Sequence, residues 1–482
     1  MEKIIIPSRL QMLIGGEWVD ANNKDSLSVI NPANAQEITT VPLAAKEDID
    51  IAVDSAQQAF ENDTLTPAER GQLLHKVADL LERDKEYLMH LESLDNGKPF
   101  DKAAYDVDSC IHHFRYYAGW TTKIHGDQIP VSSPNKLVYT RKEPLGVVGL
   151  IVPWNFPLMM SVWKVAPALA CGNTCILKPA EQTPLTALHL GKLIMEAGFP
   201  KGYFNVVTGT GAITGEAITR HQKVAKISFT GSTDVGKKIM VAAAESNLKK
   251  VSLELGGKSP NIVFDDADID QVIESVVWSS FYNSGQECTL GSRLYIHEKV
   301  YDQVLKGLID KTSQLSIGKG IDSPDLGPLI SETQMNRVLN YIELGKKEAK
   351  LEFGGHRLEG DLKEGYFVSP TIFSHQNDDL KIVQEEIFGP VVVVSSFKDE
   401  EEIIQRANHS IFGLAAALWT KDVSKAHRVA HQIQSGTVWI NGYDMFDPSV
   451  PFGGYKQSGN GREMGKSAID LYTQEKAVWL SL

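Results

Sequence analysis

Between about residues 145 and 255 the chain alternates short apolar runs with helical ones, and this alternation restricts the fold more than any other feature. Gly146 to Val152, Thr174 to Lys178, Phe204 to Val207, Ala225 to Phe229 and Val251 to Leu253 read as short buried strands. Pro184 to Ala197 reads as one of the helices between them. Strands and helices in this order form a parallel sheet covered on both faces. Ligands on such sheets bind at the carboxyl ends of the strands, and each informative motif of this region follows directly on one of the runs. A second alternating region, roughly 257 to 457, carries helices over Gln271 to Tyr282, Val300 to Leu315 and Asp399 to Ala407. It is expected to form a second α/β domain.

A chain of 482 residues is too long for one hydrophobic core and divides into two or three domains. Its formal charge of −13 argues against a general nucleic-acid surface but leaves room for a local phosphate site. The four cysteines, 110, 171, 175 and 288, form no CxxC pair and no His/Cys cluster, so no metal is expected. So few thiols in so long a chain point to a reducing compartment. The first residues lack the apolar stretch and cleavage site of a secretion signal, and the cytosol is the expected location. Leu145 to Trp163 is almost wholly apolar, but Pro153, Asn155 and Pro157 interrupt it and Lys164 follows. It reads as strand, tight loop and helix start, not as a membrane anchor.

Towards the N-terminus, Met12 to Val19 forms a hairpin around Gly15-Gly16, where glycine permits the positive φ of a tight turn. Thr66-Pro67-Ala68-Glu69 is a capping box with Pro at the first helical position, and Leu73, Leu74, Val77, Leu80 and Leu81 follow at helical spacing. Gln128 to Arg141 reads as two strands around Ser133-Pro134-Asn135, and Lys476 to Leu482 as a terminal strand. Such strands pair with something, here expected to be another subunit.

Several motifs carry chemistry. Gly209-Thr210-Gly211 with Gly215 approximates a dinucleotide fingerprint, with its third glycine one place late. Gly231 to Lys237 fits the first seven positions of a Walker A loop, but the eighth, a Mg²⁺-holding Ser or Thr, is Lys238. A loop of this type opening a helix suits a dinucleotide pyrophosphate better than ATP. Lys178 and Glu181 follow another strand, where a carboxylate can accept from ribose hydroxyls and repel a 2′-phosphate, favouring NAD over NADP. Asn155 is a polar amide in an apolar stretch, able to donate to a developing oxyanion or simply to cap its loop. Cys288, in Gly285-Gln286-Glu287-Cys288-Thr289, and Glu254, in Glu254-Leu255-Gly256-Gly257-Lys258, supply a thiol nucleophile and a carboxylate base. Alone, such a cysteine is most often a small buried hydrophobe, and such a glutamate a solvated or paired charge.

Taken together, the segments Pro153-Trp154-Asn155-Phe156-Pro157, Lys178-Pro179-Ala180-Glu181, Phe229-Thr230-Gly231-Ser232-Thr233, Glu254 to Lys258, Gly285 to Cys288, Glu386-Ile387-Phe388-Gly389-Pro390 and Pro451-Phe452-Gly453-Gly454 resemble the aldehyde dehydrogenase superfamily, in its order and nearly end to end. The resemblance implies Cys288 as nucleophile, Asn155 with the Cys288 N–H as oxyanion hole, and Glu254 as general base. Lys178 and Glu181 would hold the adenosine ribose, Ser232 the pyrophosphate, and Glu386 with Phe388 the nicotinamide side. Ile151, Trp154, Gly211 and Phe229 fall on the same cofactor side. Lys164 and Glu463 match positions associated with proton relay. Phe156, Met160, Trp163, Tyr282, Phe446 and Phe452 would line an apolar substrate tunnel.

The fold so implied is α/β: a Rossmann-like parallel-sheet NAD-binding domain (1–124 and 145–256), a second α/β catalytic domain (257–457) and a small β oligomerisation element (125–144 and 470–482). The implied reaction is NAD-dependent oxidation of an aldehyde to its acid by way of a hemithioacetal and a thioester, on apolar aliphatic or aromatic aldehydes, by a homodimer or homotetramer. Glu254 favours hydrolysis over transfer to coenzyme A. Betaine aldehyde stays open through cation–π contacts. A semialdehyde is disfavoured because no matched position offers an arginine. The non-enzymatic alternative is a catalytically silent structural homologue.

Overall fold

The computed structural model describes residues 4–482 and contains two parallel sheets, each built by one of the two alternating regions. In the first, the strands lie in the order Phe204–Val206, Thr174–Lys178, Val147–Ile151, Val224–Thr230, Lys250–Glu254. All four of these contacts are parallel. The chain builds outward from Val147–Ile151 in one direction, then crosses back to place Val224–Thr230 on its other side. That reversal is a topological switch point, where adjacent loops part and leave a crevice. Antiparallel pieces close the edges: the hairpin Met12–Ile14/Glu17–Val19 at one end and Gly459–Asn460 at the other.

The period-2 geometry of a strand explains why these runs are apolar throughout. In Val147–Ile151, Val148 and Leu150 face one hydrophobic cluster, shared with Pro157–Ala170, Leu185–Ala197 and Pro67–Arg83. Val147 and Ile151 face the other, shared with Lys46–Glu61. Gly149 has no side chain because a Cβ would meet Ile218 Cγ2 at 2.6 Å and Ile227 Cδ1 at 2.7 Å. The helix Pro157–Ala170 is buried on every side, which accounts for the hydropathy of its segment. Among the described residues no helix is long and apolar enough to cross a membrane.

The second sheet orders its strands Lys350–Phe353, Thr371–Ser374, Val391–Phe397, Arg293–His297, Pro260–Val263, Ala415–Trp419, Thr437–Ile440, with Lys350–Phe353 alone antiparallel. Its helices differ from the sequence boundaries by a residue or a few: Ile269–Phe281, Tyr301–Thr312 and Glu400–Asn408. Asp268 and Asp399 lie outside as N-caps, accepting from Gln271 N and Glu402 N.

One feature of the strand reading changes. The expected hairpin in Gln128 to Arg141 is one strand, Lys136–Pro144, met on the other side only by a bridge from Gln128 to Tyr139. Pro130 fixes φ near −65° and ends the pairing just after Ile129. The terminal strand has one partner inside the chain: Thr473–Ser481 pairs antiparallel with Lys136–Pro144 along its whole length. The Gly15-Gly16 turn (φ 63° and 79°) and the capping box at Thr66 are as expected, with Thr66 N donating to Glu69 Oε2 at 2.8 Å.

Thr66→Ala is expected to remove the cap of the helix Pro67–Arg83 at a cost of about 1 kcal/mol. A lowered thermal midpoint, restored by Thr66→Ser, is the measurement that checks it.

Candidate active site

Four loops meet at the carboxyl end of the first sheet. The first follows Val147–Ile151, and Pro157 stands at the start of the next helix, where its missing N–H costs nothing. Asn155 is buried on this loop and gives one Nδ2 hydrogen to Gln286 O at 3.1 Å. Its second hydrogen is left for another acceptor.

The second loop ends the helix Ile269–Phe281. Asn283, Ser284 and Gly285 take left-handed φ values of 48°, 55° and 72° in succession, a turn that carries the chain sharply into Cys288. A side chain on Gly285 would collide with the Gly389 carbonyl. Asn283 ties the loops together, donating to Asn155 O at 3.0 Å and Gln286 O at 3.3 Å. Asn96 binds the first loop from behind through Trp154 O at 2.7 Å.

The third loop explains Glu254-Leu255-Gly256-Gly257. A Cβ on Gly256 would strike the Glu386 carboxyl, and one on Gly257 would strike the Cys288 carbonyl. These glycines let the fourth loop and the cysteine loop approach closely, and Gly257 N donates to Glu386 Oε1 at 2.9 Å. On that fourth loop Phe388 sits at φ 60°, with its carbonyl held by Gln334 Nε2 at 2.7 Å. Arg337 holds the Glu386 carbonyl at 2.7 Å, and Trp154 meets the Phe388 ring edge-on at 5.2 Å.

Cys288 borders two cavities. One lies at the switch point, between Trp154, Asn155, Gly231, Ser232, Glu386 and Phe388. The other is narrower and is walled by Phe156, Met160, Trp163, Phe446 and Phe452, with Glu254 and Glu463 also on its surface. Met160, Thr230 and Leu255 stand with Cys288 between the two. Tyr282 does not line either cavity; it packs behind Phe156, ring centroids 6.1 Å apart.

The remaining expected residues divide. Ser232 caps the helix Thr233–Ser246, accepting from Val235 N at 3.4 Å. Gly231 and Gly236 are packing glycines, against Phe229 and Leu255, not a phosphate cradle of the Walker kind. Lys178 is buried at the end of its strand, 3.6 Å from the Glu181 carboxylate. Ile151 and Phe229 are buried beneath the crevice. Gly211 opens a short helical turn with open space around it, so no close approach demands glycine there. Lys164 and Glu463 form a buried ion pair, which Ser228 Oγ joins at 3.1 Å from Glu463. Asn283, Asn96, Gln334 and Arg337 escaped the sequence reading. For the last two the available signal was their i, i+3 spacing, which places both on one face of the helix Glu332–Glu348.

The electrostatics are one-sided. Burial raises the Cys288 thiol well above its usual range, and Glu287, Glu386 and Glu254 raise it further. Burial, then Glu463, likewise raises Glu254, whose buried Oε2 has no partner. Burial brings Glu386 to about 7. Among the described residues no group of three metal-binding side chains occurs, and all four cysteines are free.

A thiol, Cys288, and a carboxyl, Glu254, thus face one cavity beside the switch point of a parallel α/β sheet. The chain matches the aldehyde dehydrogenase family over residues 18–478 and belongs to it. It is 50% identical over 473 residues to an aldehyde dehydrogenase of Emericella nidulans, covering 97% of this chain and 94% of the relative. It is 48% identical over 479 residues to human retinal dehydrogenase 2, covering 98% and 92%. The structure of a Bacillus cereus aldehyde dehydrogenase in complex with NAD⁺ superposes with a TM-score of 0.96 at 49% identity, covering 98% of this chain and 97% of that one.

The raised thiol gives a direct test. Alkylation of Cys288 by iodoacetamide in the free protein should climb with pH through pH 9 without levelling, since thiolate is still accumulating. A plateau below pH 8 would contradict the carboxylate-ringed environment.

Proposed function

We propose that this protein oxidises an aldehyde to its carboxylic acid with NAD, in two half-reactions on Cys288. The observation that carries the reading is the position of that sulfur, on the wall shared by a switch-point crevice and an aromatic channel.

The crevice residues fit a dinucleotide. Ser232 and the first turn of Thr233–Ser246 offer N–H groups and a positive dipole end to a pyrophosphate. Glu181, beside Lys178, can accept from ribose hydroxyls, and Glu386 with Phe388 borders the space next to Cys288. A nicotinamide dinucleotide bound there supplies the acceptor for the hydride.

The chain's own groups do the rest. The resting thiol is protonated, so attack is by the thiolate formed when that proton is lost to solvent through the crevice, and the raised Glu254 carboxyl is kept for the second half. The sulfur then bonds to the aldehyde carbon, and the new oxyanion lies within the reach of the unused Asn155 Nδ2 hydrogen. This tetrahedral centre expels hydride far more readily than a neutral aldehyde does, and its loss leaves a thioester on Cys288. In the second half Glu254 takes a proton from water as the water oxygen attacks the acyl carbon. The C–S bond breaks and sulfur departs with the electron pair.

The aromatic channel suits apolar aliphatic or aromatic aldehydes. Trp163, Phe446 and Phe452 cluster with centroids 5.4 to 6.0 Å apart and offer no cation to a carboxylate tail, which argues against semialdehydes. The same rings can receive a quaternary ammonium, so betaine aldehyde is the second reading. We assign cofactor binding to the first sheet's unit and the nucleophile to the second. A further copy would join at the free edge of the terminal strand, where Trp479 is 61% exposed. A reducing compartment, the cytosol, suits the four free thiols.

Glu254→Gln should give one burst of NADH per active site and then stall. Normal turnover in that variant, or a requirement for coenzyme A in the wild type, would remove Glu254 from the role of base. Asn155→Ala should lower kcat by about 10²- to 10³-fold, and comparing kcat/KM for hexanal, benzaldehyde and betaine aldehyde decides between the substrate readings.

A further inference from the structure

Lys226 is buried in the middle of the strand Val224–Thr230, 1% exposed, and the chemistry above makes no use of it. Its Nζ donates to a neutral hydroxyl, Ser252 Oγ, at 2.7 Å. Ser252 Oγ donates to Ser228 Oγ at 3.3 Å, and Ser228 Oγ donates to Glu463 Oε1 at 3.1 Å. Glu463 stands on the wall of the narrow cavity with Glu254. The register builds this line: Lys226 and Ser228 share one face of their strand, and Ser252 is paired directly with Ser228. Each member is buried. Holding an ammonium ion there against a hydroxyl, with no carboxylate in direct contact, is costly, whereas an apolar side chain would fill the place at no such cost.

We propose that Lys226 is a proton store for the hydrolytic half-reaction, exchanging protons with Glu463 through Ser252 and Ser228. The inference rests on the reading of Glu254 as the base. The proton that water gives to Glu254 passes to Glu463, the two serine hydroxyls each hand one proton on, and the lone pair of the Lys226 amine receives the last. After the acid has left, the stored proton returns along the same line to Glu463 and is released to solvent through the cavity that Glu463 borders. As drawn, the hydrogen bonds run towards Glu463; hydroxyls rotate, so the line works in either direction. The titratable groups facing Lys226 are Glu463, Lys164 and Lys250, with the Tyr472 ring 5.3 Å from Nζ. Burial brings Lys226 down to about 7, so its amine accepts a proton above that pH and is already filled below it.

The test is the rate of acid release from pH 6 to 9, measured beside the NADH burst. Ser252→Ala should slow acid release about tenfold, less than the hundredfold or more that a direct acid–base group supplies, and leave the burst intact. Ser252→Thr, which keeps a hydroxyl, should behave as wild type. Lys226→Arg keeps the charge but cannot titrate; it should lose the rise in rate through about pH 7. Wild-type rates and pH profile in Lys226→Arg and Ser252→Ala would overturn the store. If those two stay normal while Glu254→Gln stalls after its burst, only the store falls. If Glu254→Gln turns over freely, the base assignment falls and the store with it.

Discussion

The site depends on loops coming closer to one another than an added side chain would allow. Gly257 lies directly against the Cys288 carbonyl, Gly256 against Glu386, and Gly285 against the Gly389 carbonyl. At each place a single added carbon would push the loops apart. The Cys288 sulfur belongs to the half of the chain that forms the second sheet, while the crevice it borders is walled by both halves, Trp154 and Ser232 from the first and Glu386 and Phe388 from the second. The Gly257 and Gly256 contacts join the two halves, and Asn283, bonded at once to Asn155 O and Gln286 O, adds a hydrogen-bonded tie between them.

The second constraint is electrostatic. A buried thiol surrounded by carboxyl groups is a poor nucleophile at rest, and buried carboxyl groups are costly unless hydrogen-bonded. Both costs fall at the same spot, as expected where local stability is given up for chemistry. The desolvation that suppresses the thiolate also makes Glu254 a stronger base. Behind it Glu463 pairs with Lys164 and accepts from Ser228, all three buried from bulk water.

Much of this could be read from the sequence because its causes are local. The strands Val147–Ile151 and Thr174–Lys178 are apolar on both faces, and the Thr66 box and the Gly15-Gly16 turn follow from backbone geometry alone. The resemblance supplied what spacing could not, namely that Cys288, Glu254 and Asn155 belong together across more than a hundred residues. What stayed hidden is non-local. Asn283 carries no motif; its value lies in tolerating φ 48° while its amide reaches a loop 128 positions away. The pairing of Thr473–Ser481 with Lys136–Pro144 is invisible for the same reason, since a strand's composition does not name its partner. Tyr282, which the resemblance places in the channel, stacks on Phe156, a contact that spacing along the chain does not announce.

The glycine-rich segment after Phe229 shows how a motif's spacing can be met for reasons other than the motif's chemistry. Gly231-Ser232-Thr233-Asp234-Val235-Gly236-Lys237 follows the Walker spacing, yet its two glycines answer to packing: a Cβ on Gly231 would enter the Phe229 ring, and one on Gly236 would meet Leu255 Cδ2 at 2.8 Å. What the segment retains is position, a capped helix start at the carboxyl end of a central strand. There the Val235 N–H is taken by the Ser232 cap, the N–H groups of Thr233 and Asp234 have no partner within the helix, and the dipole is positive. That environment attracts an anionic ligand without a lysine-and-magnesium grip. A nucleotide bound for its redox ring needs its phosphates held in place but not activated, and the absence of a hydroxyl at Lys238 is consistent with that lesser demand.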